Sequence, residues 1–188
     1  MKYLFMKYAF FMLILQTNWR TISAQQTASD DYVSVKTSKN YVANPLIRTA
    51  RLYPAGDETS IPLFFLGETN KLILEFDDLS NEPNDYSYEI IHCDASWGIT
   101  DLMKMEYIEG VGDDFINDVE YSTAQYSQYV HYTLQFPNEN MQLTKSGNYF
   151  IRVFENGDPS EVVLVRRFLV LENRLSIQAG VRKSNSIN

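Results

Sequence analysis

The hydrophobic positions along the chain recur in short alternating runs, which is the pattern of β-strands with one buried face. In one of these runs, Leu72, Leu74 and Phe76 share a face, while Glu75 lies on the other. Seven such runs follow one another: Ile47–Tyr53, Ile61–Leu66, Leu72–Phe76, Tyr86–Cys93, Tyr129–Phe136, Tyr149–Phe154 and Val162–Leu171. The pattern predicts an all-β fold, an immunoglobulin-like or fibronectin-like sandwich of about seven strands with one long elaborated loop.

Two turn signals sharpen this prediction. Asn156 and Gly157 tolerate positive φ and separate the last two runs, which predicts a hairpin. Leu143, Gly147 and Tyr149 follow the order of a tyrosine corner, in which a phenol hydroxyl bonds upstream backbone. An ordinary turn followed by a strand tyrosine fits the same residues. Under either interpretation, Tyr149 has a structural role.

The two ends of the chain differ in character from its body. Lys2 and Lys7 precede a short apolar run that ends at Leu15, and small residues follow up to Ala24, as in a secretory signal peptide. The apolar run is well below the roughly 20 residues that span a bilayer. We therefore expect an exported, periplasmic protein. The predicted divisions are a signal peptide at 1–24, a flexible leader at 25–45, the sandwich at 46–173, and at 174–188 the truncated start of a further segment.

Charge and cysteine content exclude several classes of function. The 188 residues carry 24 acidic side chains against 16 Lys and Arg, a formal charge of −8, with no basic stripe for nucleic acid or anionic lipid. Cys93 is the sole cysteine, and His92 and His131 are the sole histidines. Such a set supplies neither a disulfide nor a zinc cluster. We expect no cofactor and no metal.

The sequence His92-Cys93-Asp94 suggests a cysteine hydrolase, but strand geometry opposes that interpretation. Neighbouring residues of a strand point to opposite faces, so His92 could not reach the Cys93 thiol. We expect Cys93 to be buried, and His92 and Asp94 to have structural roles at a strand end covered by Trp97. Calcium is an alternative at the acidic pairs, although none has EF-hand spacing. These pairs are Asp30-Asp31, Asp77-Asp78, and Asp113-Asp114 with Asp118.

The segment Asp94–Ser127 lies between two predicted strands and is too long for a hairpin loop. Loops on a rigid sandwich commonly carry recognition, so we expect partner-binding residues here. The candidates are Tyr107, Asp113, Asp114, Phe115 and Tyr121. Alternatively, the aromatic side chains of the segment fold inward and cover a sheet edge. The chain also offers rings for a sugar-binding platform, namely Tyr86, Tyr88, Trp97, Tyr107, Tyr121, Tyr126 and Tyr129.

An ordered series of motifs resembles the amino-terminal domain of the type IX secretion system plug protein family of Bacteroidota. The resemblance runs from about Arg48 to Val181, and its most specific parts are the block from His92 to Trp97 and the strand from His131 to Asn138. The remaining motifs are Phe76-Asp77-Asp78-Leu79, Tyr86–Ile91, Ser146-Gly147-Asn148-Tyr149 and Arg166-Arg167-Phe168.

The resemblance implies a non-enzymatic role. Better-known members of the family resemble a periplasmic stopper that binds the outer-membrane translocon barrel and closes its pore. The partner is then a protein, with no nucleic acid, small-molecule substrate or direct membrane insertion, and with outer-membrane association through the barrel. Family proteins are considerably longer than this chain. The alternative function is an exported carbohydrate-binding module.

Overall fold

The computed structural model describes residues 39–80, 82–123, 128–173 and 180. The proposed signal peptide, most of the leader and nearly all of the proposed further segment lie outside these residues. The strands are β1 (Tyr41–Val42), β2 (Ile47–Pro54), β3 (Leu63–Phe65), β4 (Leu72–Asp78), β5 (Tyr86–Cys93), β6 (Ile108–Gly110), β7 (Asp113–Phe115), β8 (Asp118–Tyr121), β9 (Val130–Phe136), β10 (Met141–Leu143), β11 (Gly147–Glu155) and β12 (Val162–Leu171). Among the described residues, helical structure is confined to one 3₁₀ turn, Lys104–Glu106.

The main strands form two sheets. The first sheet has the order β1-β12-β11-β5-β7, with β3 parallel to β12 at its margin, and the second has the order β2-β4-β9-β8. The pairs along both orders are antiparallel, and this division of strands is the one found in immunoglobulin-like sandwiches. The all-β sandwich is therefore confirmed, and each of the seven hydrophobic runs overlaps one observed strand.

The core lies between the sheets and is built by the alternation seen in the sequence. Leu72, Leu74 and Phe76 of β4 are fully buried. On the neighbouring strand β9, the paired residue Tyr132 stacks on Phe76 at 5.1 Å between ring centroids. A sheet with one buried face places every second side chain in the core.

A half-buried arginine joins the two sheets at one margin. Arg166 of β12 points inward, and its guanidinium donates to the carbonyl oxygens of Ala50 at 2.9 Å and Tyr41 at 3.0 Å. The Ala50 carbonyl is available because β2 has an irregular register here, with Thr49 at a φ of 47°. Burial lowers the pKa of Arg166.

The crossover into β11 has the geometry of a tyrosine corner. The Tyr149 hydroxyl donates to the Lys145 carbonyl at 2.8 Å, and the side chain is fully buried. Gly147 comes so close to the neighbouring strand that a Cβ there would lie 2.5 Å from His92 Nε2. Glycine is therefore required by packing at this position.

The sequence predicted that the long segment after β5 is a loop over one sheet edge, and the structure corrects this prediction. Its described part, Asp94–Thr123, contains β6, β7 and β8. These strands pair with β10, β5 and β9, so the segment extends both sheets. The short alternations were missed because each strand is only three or four residues long and takes its register from a distant partner. Residues 124–127, including Tyr126, lie outside the described residues.

Candidate partner-binding surface

One side of the sandwich is formed by the edge strands β7 and β8. Strand β7 borders the first sheet and β8 borders the second, and only Ile116 and Asn117 connect them. Ile116 is buried and closes the core at this point. The two edges therefore lie next to each other, and both belong to Asp94–Thr123, which we call the acidic segment.

Within the described residues, the acidic segment contributes most of the exposed large apolar side chains. Ten large hydrophobic side chains are exposed in the described part of the chain, and six of them lie in this segment, which is under a quarter of it. Exposed apolar side chains that are concentrated in one segment mark it as a candidate interaction site. The six are Ile99, Met103, Met105, Val111, Phe115 and Tyr121.

The same segment carries nearly all of the chain's excess negative charge. It contains eight acidic side chains and one lysine, a formal charge of −7 within a chain total of −8. Lys104 does not offset this charge at the surface, since its ammonium donates to the buried Glu89 carboxylate and to the Gly112 carbonyl. The acidic residues are Asp94, Asp101, Glu106, Glu109, Asp113, Asp114, Asp118 and Glu120.

Three residues that the sequence proposed for partner binding lie on β7. Asp113 is exposed, and the Phe115 ring is 58% exposed on the outer face of the first sheet. Asp114 is half-buried because its carboxylate accepts from the Asn140 side chain and from the Phe115 N–H, both at 2.9 Å. Asp114 thus stabilises the local backbone, while the other two residues are available to a partner.

Tyr121 and Tyr107, the other two proposed residues, have opposite environments. Tyr121 is 65% exposed at the end of β8. Tyr107 is 4% exposed, and its ring packs 5.6 Å from His92 and 5.9 Å from Tyr149. The expectation that Tyr107 contacts a partner is corrected: it follows the 3₁₀ turn and enters the core, because β6 closes one end of the sandwich.

The structural residues around His92 and Asp94 surround a tight turn. The Asp94 carboxylate accepts from the backbone N–H groups of Ser96 at 2.7 Å and Gly98 at 2.9 Å. The Nδ1 atom of His92 lies 2.9 Å from the Thr100 hydroxyl oxygen. Burial lowers the pKa of the His92 imidazole. These contacts hold the turn against the end of β5.

The sequence suggested that Trp97 covers His92, but the structure places Trp97 elsewhere. It adopts a φ of 68°, and its half-buried ring packs on the outer face of the first sheet against Ile91, Cys93, Phe150 and Val165. The Arg167 guanidinium lies 4.0 Å from the ring centroid. His92 points to the opposite face of β5, because side chains alternate along a strand.

Cys93 is 2% exposed in this outer cluster, and burial raises the pKa of its thiol to about 12. A reactive cysteine instead needs a lowered pKa and solvent access. Its hydrogen-bond partner is the Ile91 carbonyl at 3.9 Å, and the His92 ring lies on the other face of the strand. The arrangement is that of a structural cysteine.

The Asp77-Asp78 pair serves hydrogen bonds within the sandwich. Asp78 is fully buried and accepts from the Tyr86 hydroxyl at 2.8 Å and the Asn84 amide at 2.9 Å. Asp77 pairs with His131 at 2.7 Å on the outer face of the second sheet. Within the described residues, no group of three or more His, Cys, Asp or Glu converges as metal ligands would. Asp30 and Asp31 lie outside these residues.

The rings proposed for sugar binding are divided between the core and the surface. Tyr86 and Tyr88 are 1% and 0% exposed, and burial raises the pKa of Tyr88 to about 12. Together with the buried Tyr107, they cannot stack on a sugar ring. Three of the seven rings are therefore unavailable to a sugar, because Tyr86 and Tyr88 alternate on the core face of β5 and Tyr107 packs in the core.

A buried ion pair on the outer face of the first sheet was missed from the sequence. Glu89 is 5% exposed and accepts from Arg152 Nε at 2.6 Å and Lys104 Nζ at 2.5 Å. Glu89 and Arg152 occupy directly paired positions of β5 and β11. The sequence does show one charged residue in each of two apolar runs, Glu89 and Arg152. Only the strand register shows that these two residues meet.

Comparisons with known proteins identify relatives of this domain. A family model described as the first domain of the type 9 secretion system plug protein matches residues 47–172. No curated protein sequence matches the chain. Within the described residues, no helix is long and apolar enough to cross a membrane.

Two solved structures give different degrees of similarity. A hypothetical protein from Parabacteroides merdae ATCC 43184 is 31% identical with a TM-score of 0.68, and the match covers 70% of this chain and 33% of that one. The chain thus spans about a third of the length of that relative. A mutant β-glucosidase from Listeria innocua, solved with laminaribiose, is 14% identical with a TM-score of 0.28, covering 64% of this chain and 16% of that one. The second likeness is too weak to bear on fold or function.

Proposed function

The chain belongs to the type 9 secretion system plug protein family as its first domain, and we propose that it binds and closes the outer-membrane translocon of that system from the periplasm. The family membership suggests a non-enzymatic role. The chemistry of the described residues is consistent with this, since Cys93 has a raised pKa and faces away from the nearest histidine.

The acidic segment makes the contact with the translocon. The observation that carries this assignment is the coincidence, in one segment, of six exposed apolar side chains and a formal charge of −7. Apolar side chains supply the buried centre of an interface, and charges supply its rim and orient the approach of the partner. Phe115 and Tyr121 are the aromatic anchors of this contact, and Asp113 lies on the same face of β7 as Phe115.

The protein acts after export. The sequence Met1–Ala24 is proposed to be a signal peptide, and binding to the translocon then holds the protein at the periplasmic side of the outer membrane. Amino-terminal sequencing of exported protein is expected to give Gln25 as the first residue. Exported protein that begins at Met1 would contradict cleavage.

An affinity purification from a type 9-secreting bacterium tests the proposed partner. The tagged chain is expected to recover the translocon barrel after crosslinking. Phe115→Ser combined with Tyr121→Ser is expected to abolish recovery, because both anchors are lost. The matched control is Ile61→Ser, whose side chain is 67% exposed outside the acidic segment and which is expected to leave recovery unchanged.

The outcomes separate the parts of the proposal. No barrel recovered with the parent chain would contradict the proposed partner. Equal recovery with the parent and the Phe115 and Tyr121 variant would place the interface outside the acidic segment. Closure is tested in cells, since deletion of the gene is expected to admit a large antibiotic that the intact outer membrane excludes. Unchanged antibiotic uptake would contradict the plugging role.

A further inference from the structure

Among the described residues, the outer edge of β8 presents backbone groups for which no hydrogen-bond partner is found. The Ser122 N–H donates to the Tyr129 carbonyl at 2.9 Å, which fixes the hydrogen-bond parity of β8 against β9. Backbone groups alternate in direction along a strand, so the N–H and C=O groups of Asp118 and Glu120 point toward β9. The N–H and C=O groups of Val119 and Tyr121 therefore point away from the sheet. In the described part of the chain, no strand lies on that side of β8.

Two other sheet edges, β2 and β7, are partly closed by the protein's own side chains. On β2, the Ala50 carbonyl already accepts a hydrogen bond from Arg166, and the backbone is irregular at Thr49. On β7, the Asp114 carboxylate accepts the hydrogen bond of the Phe115 N–H. Irregular backbone and occupied polar groups protect an edge from pairing with another chain. Strand β8 pairs with β9 in a regular register, and within the described residues no side chain bonds to its outward backbone groups.

The side chains of β8 determine what could pair with it. Asp118 and Glu120 are exposed and lie on the solvent face of the second sheet, beside Thr133 and His131. Like charges directly opposite each other destabilise a strand pair, so the edge disfavours a second copy of itself. A strand with Lys or Arg opposite these carboxylates gains two favourable pairs. Tyr121 adds an exposed ring on the other face.

We propose that β8 receives an extended segment of a partner protein, with basic and apolar residues in alternation, as a fifth strand of the second sheet. The added strand would run antiparallel to β8, as its neighbours do within this sheet. Main-chain bonds would give affinity, and the alternating side chains would give specificity. This binding mode does not depend on the translocon being the partner.

Synthetic peptides test the mode of binding directly. The probe is an eight-residue peptide of alternating Lys and Val with blocked ends, titrated into the full chain by calorimetry. In the antiparallel arrangement, the Val residues share a face with Val119 and Tyr121 and donate their N–H groups to β8. Methylation of the central Val nitrogens is therefore expected to abolish binding, while methylation of the central Lys nitrogens is tolerated.

Charge reversal on the protein provides the second arm. Asp118→Lys with Glu120→Lys is expected to weaken binding of the unmodified peptide about tenfold or more, since two attractive pairs become repulsive. Glu68→Lys with Glu139→Lys is the control, because it changes the net charge equally at two exposed sites outside β8. This control is expected to change affinity less than twofold.

The two arms distinguish strand addition from general attraction of a basic peptide to an acidic protein. Strand addition is supported if only one of the two methylated peptides fails to bind. Failure of the Val-methylated peptide indicates an antiparallel strand, and failure of the Lys-methylated peptide indicates a parallel strand. Equal binding of both methylated peptides, equal weakening by both charge reversals, or no binding of the unmodified peptide would overturn the proposal.

Discussion

Removal of Arg152 is expected to destabilise the domain strongly, because it leaves the buried Glu89 carboxylate with one partner in place of two. Glu89 is 5% exposed, and the Arg152 side chain is 16% exposed, so water can replace little of what is lost. Breaking a buried pair by removing one partner costs about 3–5 kcal/mol. Lys104 remains at 2.5 Å from the carboxylate, so Arg152→Met is expected near the lower limit, about 3 kcal/mol.

The double variant Glu89→Leu with Arg152→Met isolates the interaction. Replacing both members of a buried pair with apolar side chains of similar size is often close to neutral. The double variant is therefore expected to cost about 1 kcal/mol or less, well below the sum of the two single variants. The difference is the coupling energy of the pair in a double-mutant cycle.

Urea denaturation followed by tryptophan fluorescence measures the free energy of unfolding of the parent and the three variants. An unchanged slope with a shifted midpoint attributes the change to stability alone. A cost below about 1 kcal/mol for Arg152→Met, or additive single costs in the double variant, would refute the reasoning that this pair is desolvated and coupled.

Three further predictions concern stability. Tyr149→Phe removes the bond to the Lys145 carbonyl and is expected to cost about 1–2 kcal/mol by urea denaturation; an unmoved midpoint would contradict the corner. Trp97→Ala is expected to cost about 2 kcal/mol, less than a fully buried tryptophan, and a cost near zero would show that the outer cluster is not stabilising. Burial lowers the pKa of His92 below 6.5, so the unfolded chain takes up a proton at a higher pH than the folded chain does. The stability that the neutral His92 contributes is therefore complete above pH 6.5 and is lost as the pH falls through the pKa of the folded state. His92→Gln is expected to lose less stability than the parent between pH 7.5 and pH 5, and equal losses would contradict this linkage.

The alternation of side chains let the sequence predict the main strands. Leu72, Leu74 and Phe76 are buried because a period of two places them on one face, whatever strand pairs with them. The same local logic correctly places Cys93 and His92 on opposite faces of β5. The motif order around His92 and Trp97 also led to the family. These features follow from short-range geometry and from residue order, which a single sequence contains.

The acidic segment shows where this logic ends. Residues proposed for one binding surface have different positions: Tyr107 is in the core, Asp114 is bonded to Asn140, and Phe115 is exposed. Aromatic and acidic residues have the same composition in a loop and in short edge strands. Their exposure depends on which distant strand supplies the register, and composition holds no information about that partner.

The sequence by itself determined the fold class, the core faces of the long strands and the family. Tertiary structure alone decided that Glu89 meets Arg152 across paired strands and that Arg166 joins the sheets. It also decided that, within the described part of the chain, no strand pairs with the outer edge of β8. The physical reason is that a buried charge or an open strand edge is a property of pairs of segments far apart in the chain. Side-chain periodicity is a property of one segment, so it can be read before any pair has formed.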